Sequence, residues 1–522
     1  MPVASPLSQV RALAHKWWPY LVIFVVVCFV STADDWSPFS LARGTDSTVY
    51  GYIGQAMTQG RTPYTDAWDN KGPLLYTLNY LGMLLNDRYG IFLIGFAATL
   101  ATGILGYAFA RLFASRLTAV AASVVTLLTV TYTLAGGNLT EGYALPFIVA
   151  ALYLIAQAVV SGRFTWWQSV VIGVCSAACF LLRINLVAPI VAFGLVLFVC
   201  TLVRRRVVAA LQLAVHVAAG AVLTIIPFVV YLAAKGALRA CLEAAYTSQF
   251  VTPPRSERLQ SAYLILAFTN RTYVLAITAT FLLVSAVLLV TRRISSTSTR
   301  VMVVATWAGM LVNLYANTIT GAAYEHYATT FAAVMLFPVV CFFRLVERLT
   351  LAVAGRLDWA SLTAGPRAVT AGAITLIVFV MSWGNIDYTV STVAQNWSYR
   401  THAGGADANY VDLIVSNTTP DDEVQVLGGI HPYLLLRSHR ESASRFFYTP
   451  DGLYIDPGFA ASARQEIADT INERPPELII VSVPQQADWL TATPAGVGPL
   501  LDSSYERFFS DDNYIMFRRI TT

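Results

Sequence analysis

Residues 186–203, LVAPIVAFGLVLFVCTLV, form an apolar run without a charge between Arg183 and the cluster Arg204-Arg205-Arg206. A run of this length suits a helix that crosses the hydrocarbon core of a bilayer, which takes about 20 apolar residues. Ten further runs of this kind predict, with it, a polytopic α-helical membrane protein with about 11 transmembrane helices. The other predicted spans are Trp17–Thr32, Ile91–Ala110, Leu117–Leu134, Tyr143–Val160, Trp166–Leu182, Val207–Ala233, Tyr273–Thr291, Val301–Asn317, Tyr327–Phe343 and Ala368–Trp383.

The composition of the whole chain agrees with a membrane protein. Of its 522 residues, 56% are hydrophobic and 12% are charged, whereas soluble domains have roughly 45–50% and about 25%. This excludes a single soluble enzyme, a disordered scaffold and a coiled coil, and makes the lipid bilayer the first predicted partner. The net charge of +4 is too small to indicate a nucleic-acid surface, so no nucleic acid is predicted as a partner. The six cysteines show no disulfide framework and no metal-ligand spacing.

The distribution of Lys and Arg predicts the orientation. With the N-terminus cytoplasmic, the inside segments hold fifteen Lys or Arg residues, whereas the outside segments before Tyr327 hold ten in a greater total length, as the positive-inside rule expects. Leu74–Leu85 is too short to span and is predicted to be an interfacial or re-entrant helix. The first run could instead be a cleaved signal peptide, since Arg11 and Lys16 precede it. The expected location is the cell membrane.

The composition changes near residue 390, which predicts two domains. Residues 1–390 form a transmembrane domain, and residues 391–522, with 17 Asp or Glu against nine Lys or Arg, form an extracytoplasmic α/β domain. Short β-branched and aromatic runs predict strands at Glu423–Leu427, Arg445–Tyr448, Leu478–Val483, Arg507–Ser510 and Tyr514–Arg518. Helices are predicted at Ala406–Ser416, Ser462–Asn472 and Gln485–Leu490.

The first outside loop, residues 33–89, is long and rich in polar residues, which favours a functional role. Asp46 precedes apolar residues at helical spacing that end before Gly60, so an amphipathic helix is predicted on the membrane surface. A turn-rich stretch with Asp69 and Lys71 follows. Alternatively, Asp46 is only a helix cap, and Asp69 with Lys71 is only an exposed pair.

Three other outside segments carry ionisable groups. Asn138 and Glu141 lie in the second loop, Arg183 follows the fifth span, and His326-Tyr327 opens the tenth. Alternatively, Glu141 only complements a helix dipole and Arg183 only reaches the interface. Because successive spans alternate in direction, these segments nevertheless all lie on the outside, which places several charged groups on one face of the membrane. A carboxylate there can take a proton from an incoming hydroxyl and cations can hold a phosphate leaving group, which predicts sugar transfer from a lipid phosphate.

The first loop also resembles a known signature. Thr45-Asp46, preceded by Gly44, is followed by Tyr50, Gly60, Pro63-Tyr64, Asp66, Asp69 and Lys71-Gly72-Pro73-Leu74. This pattern resembles the multi-span glycosyltransferases with the C-type fold (GT-C), a group that includes protein O-mannosyltransferases and the transferases that add aminoarabinose to lipid A. The likeness is concentrated in residues 40–150. Two positions depart from the pattern: Ser47 stands where the usual acidic or polar partner follows the aspartate, and Gly72 stands at the first proline of Lys-Pro-Pro.

The resemblance implies an inverting glycosyltransferase that moves a monosaccharide from a polyprenyl-phosphate donor to a cell-envelope glycan, glycolipid or protein acceptor on the extracytoplasmic side. Some members of the group need a divalent cation and others do not, so no metal and no other cofactor is predicted to be obligatory. The resemblance and the residue types together predict a site with the following roles. The catalytic residues are Asp46 and Glu141; the contacts to the donor phosphate are Lys71, Arg183 and His326; and the substrate-binding residues are Tyr50, Asp69, Asn138 and Tyr327.

Two other functions remain open at this point. A transporter or flippase for a lipid-linked sugar would also need many spans, but it predicts charges near the membrane midplane and paired broken helices. The predicted spans carry few such charges apart from His216, and no internal repeat is visible. An oligosaccharide polymerase or ligase would use a diphosphate-linked chain instead of a monosaccharide donor. Donor specificity would separate this enzyme from a monosaccharide transferase.

Overall fold

The computed structural model describes residues 6–40, 45–134, 136–247, 255–268, 273–319, 322, 324–356, 365–402, 406–449, 457–490 and 497–520. Gly44, the first residue of the predicted signature, lies outside these ranges. The helices up to residue 402 are α1 Pro6–Val30, α2 Thr45–Thr58, α3 Pro73–Leu85, α4 Gly90–Arg111, α5 Arg116–Thr133, α6 Thr140–Ser161, α7 Trp166–Leu182, α8 Ala188–Val203, α9 Val207–Ala234, α10 Leu238–Cys241, α11 Arg255–Phe268, α12 Val274–Val290, α13 Thr297–Thr318, α14 Thr329–Ala354 and α15 Pro366–His402.

The predicted membrane spans coincide with these helices. Nine helices of the described chain are long and apolar enough to cross a bilayer. Two predicted spans, the fifth and the eighth, fall on the 17-residue apolar helices α7 and α12. The short helix α3 has 13 residues, as predicted for a segment that does not cross. Within the bundle, α5 is mostly buried and α9 is almost entirely exposed at its edge.

Small residues let some helices approach closely. A Cβ atom on Gly173 of α7 would lie 2.0 Å from the carbonyl oxygen of Val217, and one on Gly220 of α9 would lie 2.0 Å from that of Val170. Both contacts are with backbone, so neither helix could give way to a side chain. Such small-residue contacts are typical of packed membrane helices, where dispersion forces replace the hydrophobic effect. The contact fixes α7, whose C-terminal end carries Arg183.

The end of the bundle near α2 and α3 gathers several helix termini. There α6 begins at Thr140, α7 ends at Leu182, and α14 follows a short 3-10 turn, Glu325–Ala328. The opposite end holds the connections between α6 and α7 and between α8 and α9. Because successive helices run in opposite directions, the predicted functional segments lie at one end of the bundle.

The C-terminal region is an α/β unit, as predicted. Its elements are α16 Ala406–Ser416, β1 Val424–Leu427, α17 Tyr433–Ser438, α18 Pro457–Glu473, β2 Leu478–Ser482, α19 Gln486–Leu490, α20 Gly498–Ser504, β3 Tyr505–Ser510 and β4 Tyr514–Arg519. The strand order is β1-β2-β4-β3. β1 and β2 are parallel, with Val424 opposite Leu478, and the other pairs are antiparallel. Every residue of β1 and β2 is buried, so these two strands form the centre of the unit.

One predicted strand, Arg445–Tyr448, is wrong. The segment is an irregular chain, because the hydrogen bonds of its carbonyl oxygens do not form a strand ladder. The carbonyl oxygen of Arg445 accepts from the backbone N–H of Trp68 at 2.9 Å, and that of Phe446 accepts from Gln425 Nε2 at 3.0 Å. The side chains of Phe446, Phe447 and Tyr448 are all buried. The segment thus attaches the α/β unit to the first outside loop.

The environment of α2 also differs from the prediction. The helix lies where the sequence predicts it, and Gly60 follows its end with a φ of 89°. However, every residue from Ser47 to Ala56 is buried, because α3 packs on one side and α17 on another. The helix is therefore enclosed and has no broad exposed polar face. Helix α15 runs from Pro366 to His402 through the predicted division at residue 390, and the two-domain division stays a prediction.

Candidate active site

Asp46 lies in the first turn of α2, where the partial positive charge of a helix N-terminus favours a carboxylate. Its side chain is half-buried. Tyr50, one turn further along the helix, donates to Asp46 Oδ2 over 3.5 Å. This is a long hydrogen bond, so the carboxylate keeps acceptor capacity.

Asp69 has a different environment, although it belongs to the same loop. Its side chain is 3% exposed. Tyr76 Oη donates to Asp69 Oδ2 at 2.7 Å, and Tyr448 Oη donates to Asp69 Oδ1 at 2.9 Å. Both carboxylate oxygens are thus occupied, one by α3 and the other by the α/β unit. Burial, then the charge of Asp69, raises the pKa of Tyr448 well above its usual range, so the phenol stays a hydrogen-bond donor.

The backbone around Lys71 is held by three hydrogen bonds. The Lys71 N–H donates to Tyr76 Oη at 3.0 Å, and Tyr64 Oη donates to the Lys71 carbonyl oxygen at 2.9 Å. The next N–H, of Gly72, donates to the Leu182 carbonyl oxygen at 3.0 Å. Lys71 Nζ lies 5.8 Å from the ring centroid of Tyr50, a cation–π distance.

Gly72, one of the departures from the resembled signature, has a structural reason. A Cβ atom at this position would lie 2.1 Å from the carbonyl oxygen of Leu181. Proline would also remove the N–H that bonds to Leu182. Glycine therefore lets the chain that carries Lys71 approach the end of α7, and it brings Lys71 close to Arg183.

Glu141 and Arg183 form a buried ion pair. Glu141 is 0% exposed and Arg183 is 9% exposed, and Arg183 Nη1 lies 3.2 Å from Glu141 Oε1. The second carboxylate oxygen accepts from Thr140 Oγ1 at 2.7 Å. Arg183 Nη2 also donates to Tyr327 Oη, and the guanidinium carbon lies 4.3 Å from the Tyr327 ring centroid. The pair connects α6, α7 and the turn before α14.

His326 stands beside this pair. Its ring stacks on Tyr324 with a centroid distance of 5.5 Å and an interplanar angle of 7°, and meets the Tyr327 ring edge-on at 4.9 Å. The imidazole has electrostatic interactions with both predicted catalytic carboxylates, Asp46 and Glu141. It has further ones with Arg183 and Lys71. These interactions place His326 in the same group of charges.

Tyr50 lies at the centre of the cluster. It is 2% exposed, and burial raises the pKa of its phenol well above the ordinary value. The next causes are the negative charges of Asp46, Asp69 and Glu141, while Arg183 opposes them. The structure therefore brings together all the charged residues predicted from the sequence, which come from separate segments of the chain. The catalytic and binding roles of these residues stay predictions.

The side chain of Asn138 is buried and bonds to other groups of the protein. Its Nδ2 donates to the Ser47 carbonyl oxygen and to Asn79 Oδ1, each at 2.9 Å, and its Oδ1 accepts from Tyr143 Oη at 2.9 Å. Its φ of 51° is in the left-handed region, which asparagine tolerates better than most residues. Asn138 thus joins the second outside loop to α2 and α3, and its predicted contact with substrate is untested.

Tyr76 and Tyr448 are the site residues that the sequence analysis missed. Tyr76 lies seven residues from Asp69, and the apolar pattern of α3 gives it the appearance of a core residue. Tyr448 is 379 residues from Asp69, and no local pattern relates the two. Only the packing of the α/β unit on the first loop reveals the contact.

A mostly apolar groove leads away from the ion pair. This groove, named here the Arg183 groove, lies between α8 and α13 and has a volume of about 220 Å³. Asn185 and Asn317 lie along it and bond through their amides at 2.8 Å. It is lined by Arg183, Ile184, Asn185, Val187, Ala188, Val191, Val312, Tyr315, Ala316, Asn317 and Ile319. The groove thus has a charged end at the site and apolar walls along the bundle.

No group of three or more His, Cys, Asp and Glu side chains suited to a metal occurs in the described ranges of the chain. The expectation that no metal is obligatory stays a prediction, because this finding does not test it.

Comparison with solved structures identifies the fold. ArnT from Cupriavidus metallidurans bound to undecaprenyl phosphate matches with a TM-score of 0.66 and 14% identity, over 98% of this chain and 99% of that chain. The apo state of the same protein gives 0.62 and 15%, over 98% of each chain. The apo oligosaccharyltransferase of Archaeoglobus fulgidus gives 0.52 and 14%, over 97% of this chain and 75% of that one. The chain therefore has the C-type fold of membrane glycosyltransferases, as the first-loop signature predicts.

Comparison of the sequence with models of protein families gives one match. The model described as the putative competence-induced protein Ccs4 N-terminal domain matches residues 12–362, which contain all nine predicted site residues. No curated protein sequence matches the chain.

Proposed function

The chain belongs to the Ccs4 N-terminal domain family, and from its fold and the charged residues gathered in its site we propose that it is a membrane glycosyltransferase. It moves one monosaccharide from a polyprenyl-phosphate donor to a glycan, glycolipid or protein acceptor of the cell envelope and inverts the anomeric centre. The similar ArnT structure has undecaprenyl phosphate bound. That likeness supports a lipid phosphate as the donor carrier here.

The position of Arg183 is the observation that carries the proposal. This residue lies both in the cluster of charged residues and at the end of the Arg183 groove. A polyprenyl chain cannot leave the hydrocarbon, so its binding site must join an apolar groove to a phosphate-binding group. Arginine suits the phosphate because its planar fork forms two charge-assisted hydrogen bonds.

The proposed chemistry is a single displacement. The acceptor hydroxyl oxygen forms a bond to the anomeric carbon while the bond from that carbon to the phosphate oxygen breaks. Asp46 accepts the hydroxyl proton, because it is the half-buried carboxylate with spare acceptor capacity. The polyprenyl phosphate leaves with the electron pair, and attack from the opposite face inverts the configuration.

The other side chains have proposed roles in holding the leaving group and the site. Lys71, Arg183 and His326 contact the phosphate, whose developing charge they stabilise. Glu141 holds Arg183 in place through the ion pair. Tyr50 and Tyr327 are the substrate-contacting tyrosines. We assign Asp69 and Asn138 to holding the loops, because their hydrogen bonds go to other parts of the protein.

The proposed orientation follows the positive-inside rule. The N-terminus is cytoplasmic, and the site and the α/β unit face the extracytoplasmic side, where envelope acceptors lie. A divalent cation is not obligatory in this proposal, because the cations of the protein itself hold the phosphate.

The test is sugar transfer by the purified full-length protein in lipid. A panel of radiolabelled polyprenyl-phosphate monosaccharides is offered with crude envelope acceptor to the native protein and to Asp46→Asn. Loss of a general base lowers the rate by about 10²–10⁴-fold. Asp87→Asn is the matched control, because Asp87 is an exposed aspartate of the same loop. Full activity of Asp46→Asn would remove Asp46 as the base. Movement of a lipid-linked sugar across the bilayer without any transfer would replace the proposal by a transporter.

A further inference from the structure

A second cavity, which is lined in part by arginines, lies at the end of the bundle opposite the candidate active site. It has a volume of about 420 Å³ and lies among the ends of α6, α8, α9 and α13. Three arginines, Arg163, Arg204 and Arg206, come from two connections and line it together. Most of the remaining lining is apolar, including Val159, Leu197, Leu213 and Val301. We name it the arginine cavity.

The rim of the arginine cavity is fixed by hydrogen bonds. Ser298 Oγ donates to the Val159 carbonyl oxygen at 3.0 Å and joins the start of α13 to the end of α6. Gln168 Nε2 donates to Gln157 Oε1 at 2.8 Å and joins α7 to α6. Thr165 and Gln168 form a capping box at the start of α7. The cavity is therefore formed by the packing of the helices without a ligand.

The three arginines differ from Arg183 in having no counter-charge among the described residues. None of them takes part in an ion pair between described residues. No Asp or Glu of the described chain lines the arginine cavity. Three exposed arginines thus line a space to which no described acidic side chain contributes, and this charge favours an anion.

The arginine cavity is independent of the active site. Helix α6 has Glu141 in its first turn and ends at Ser161 beside the cavity, and its 22 residues span about 33 Å. This is about the thickness of the hydrocarbon core. Trp166 and Trp167, next to the cavity, are exposed, as aromatic residues at a membrane interface are. The cavity therefore lies at headgroup depth in the leaflet opposite the site.

We propose that the arginine cavity binds the phosphodiester headgroup of an anionic phospholipid. The guanidinium groups hold the phosphate by charge-assisted hydrogen bonds. The acyl chains extend along the apolar wall that includes Leu197 and Leu213. A basic pocket between membrane helices combines both requirements of such a lipid. This inference does not depend on the proposed function, because the cavity shares no residue with the active site.

The experiment measures lipid binding to the purified full-length protein. The delipidated protein in a neutral detergent is titrated with phosphatidylglycerol or phosphatidylcholine, and native mass spectrometry counts the bound lipids. The native protein is expected to retain one phosphatidylglycerol in preference to phosphatidylcholine. Replacing Arg163, Arg204 and Arg206 together by Gln is expected to weaken this binding by about a hundredfold, since each basic residue contributes roughly a factor of five.

The matched control is a triple variant with Gln at Arg292, Arg293 and Arg348. It loses the same charge at the same end of the bundle, but none of these residues lines the cavity. Equal weakening in both triple variants would overturn the proposal in favour of general attraction by surface charge. Equal binding of the two lipids by the native protein would overturn it without any variant. A further titration uses inorganic phosphate. Phosphate that displaces the lipid only at a far higher concentration supports the proposal, and phosphate that binds as tightly as the lipid contradicts it.

Discussion

The two aspartates of the first outside loop illustrate how different environments give one residue type different tasks. Asp46 lies at the beginning of α2, is half-buried, and accepts one long hydrogen bond, from Tyr50, among the described residues. Asp69 lies 23 residues later, is almost fully buried, and receives short hydrogen bonds from two tyrosines. Both carboxylate oxygens of Asp69 accept short hydrogen bonds, whereas Asp46 keeps acceptor capacity for the proton of the proposed acceptor hydroxyl. This difference is the reason why we propose Asp46, the less constrained carboxylate, as the base.

Glu141 extends the comparison to the second outside loop. It is fully buried and both of its oxygens have partners, Arg183 and Thr140. Like Asp69, it is a carboxylate held by the protein. Two of the three carboxylates in the site therefore organise their surroundings, and Asp46 is the one with free capacity. The following predictions would break or sharpen this distinction.

The largest effect on stability is expected for Arg183→Gln. This substitution leaves the buried Glu141 carboxylate without its counter-charge, which costs about 3–5 kcal/mol of unfolding free energy. The measurement is denaturant unfolding followed by tryptophan fluorescence in the same lipid or detergent. Arg88→Gln is the control, because Arg88 is an exposed residue of the first loop.

A second substitution sharpens the interpretation of this effect. In the double variant with Glu141→Gln, no buried charge is left unpaired, so stability should partly return. A double variant that is as unstable as Arg183→Gln alone would show that lost packing of the arginine, not the unpaired charge, causes the effect.

A smaller loss of stability is expected for Asp69→Asn. The amide retains one acceptor oxygen for two tyrosine donors, and a hydrogen bond to a charged group contributes about 1.5–3 kcal/mol. The unfolding free energy should fall by about 2–3 kcal/mol, while Asp87→Asn should leave it unchanged. If Asp69→Asn left stability intact and abolished sugar transfer, the division of tasks between the two aspartates would be wrong.

Gly72→Ala tests the close approach that brings Lys71 to the end of α7. The added Cβ atom would meet the Leu181 carbonyl oxygen at 2.1 Å, and overpacking of this kind costs about 1–3 kcal/mol. Sugar transfer should fall as well, because the chain carrying Lys71 must move away. Gly194→Ala is a suitable control, since nothing lies within 4 Å of a Cβ atom there. Unchanged stability and transfer in Gly72→Ala would show that the close contact is not needed.

The smallest effect concerns stability at alkaline pH. Burial raises the folded-state pKa of Tyr448, whereas an unfolded tyrosine has a pKa of about 10. Above pH 10 the unfolded state therefore loses a proton that the folded state keeps, and stability falls by about 1.4 kcal/mol per pH unit for this tyrosine. Because the unfolded tyrosine is only half ionised at pH 10, Tyr448→Phe should reduce the loss of stability between pH 10 and 11 by about 1 kcal/mol. An identical slope in both proteins would mean that Tyr448 ionises normally in the folded state.

The sequence predicts the membrane architecture well because hydropathy is a local property. Each apolar run is long enough to reveal a span by itself, and the short run that becomes α3 is distinguished by its length alone. The number of spans between them then places Asp46, Glu141 and Arg183 at the same end of the helix bundle. These residues can be found from the sequence because few ionisable groups lie next to the apolar runs that form the spans.

Long-range packing is what the sequence did not reveal. The exposed polar face predicted for α2 is buried, because α17 from the distant C-terminal unit covers it. The run of three aromatic residues in Arg445–Tyr448 favours a strand, yet the backbone of this segment bonds to Trp68 and Gln425. The contact of Tyr448 with Asp69 likewise depends on tertiary structure. The difference in environment between Asp69 and Asp46 therefore could not be predicted from local sequence patterns.

The most direct test of the central claim compares Asp46→Asn with Asp69→Asn in one preparation. Sugar-transfer rate and unfolding free energy are measured for both variants and for the native protein in the same lipid. The account predicts that Asp46→Asn loses at least about a hundredfold in rate with native stability, whereas Asp69→Asn loses stability and a smaller part of the rate. Full activity in Asp46→Asn together with an inactive, stable Asp69→Asn would contradict it.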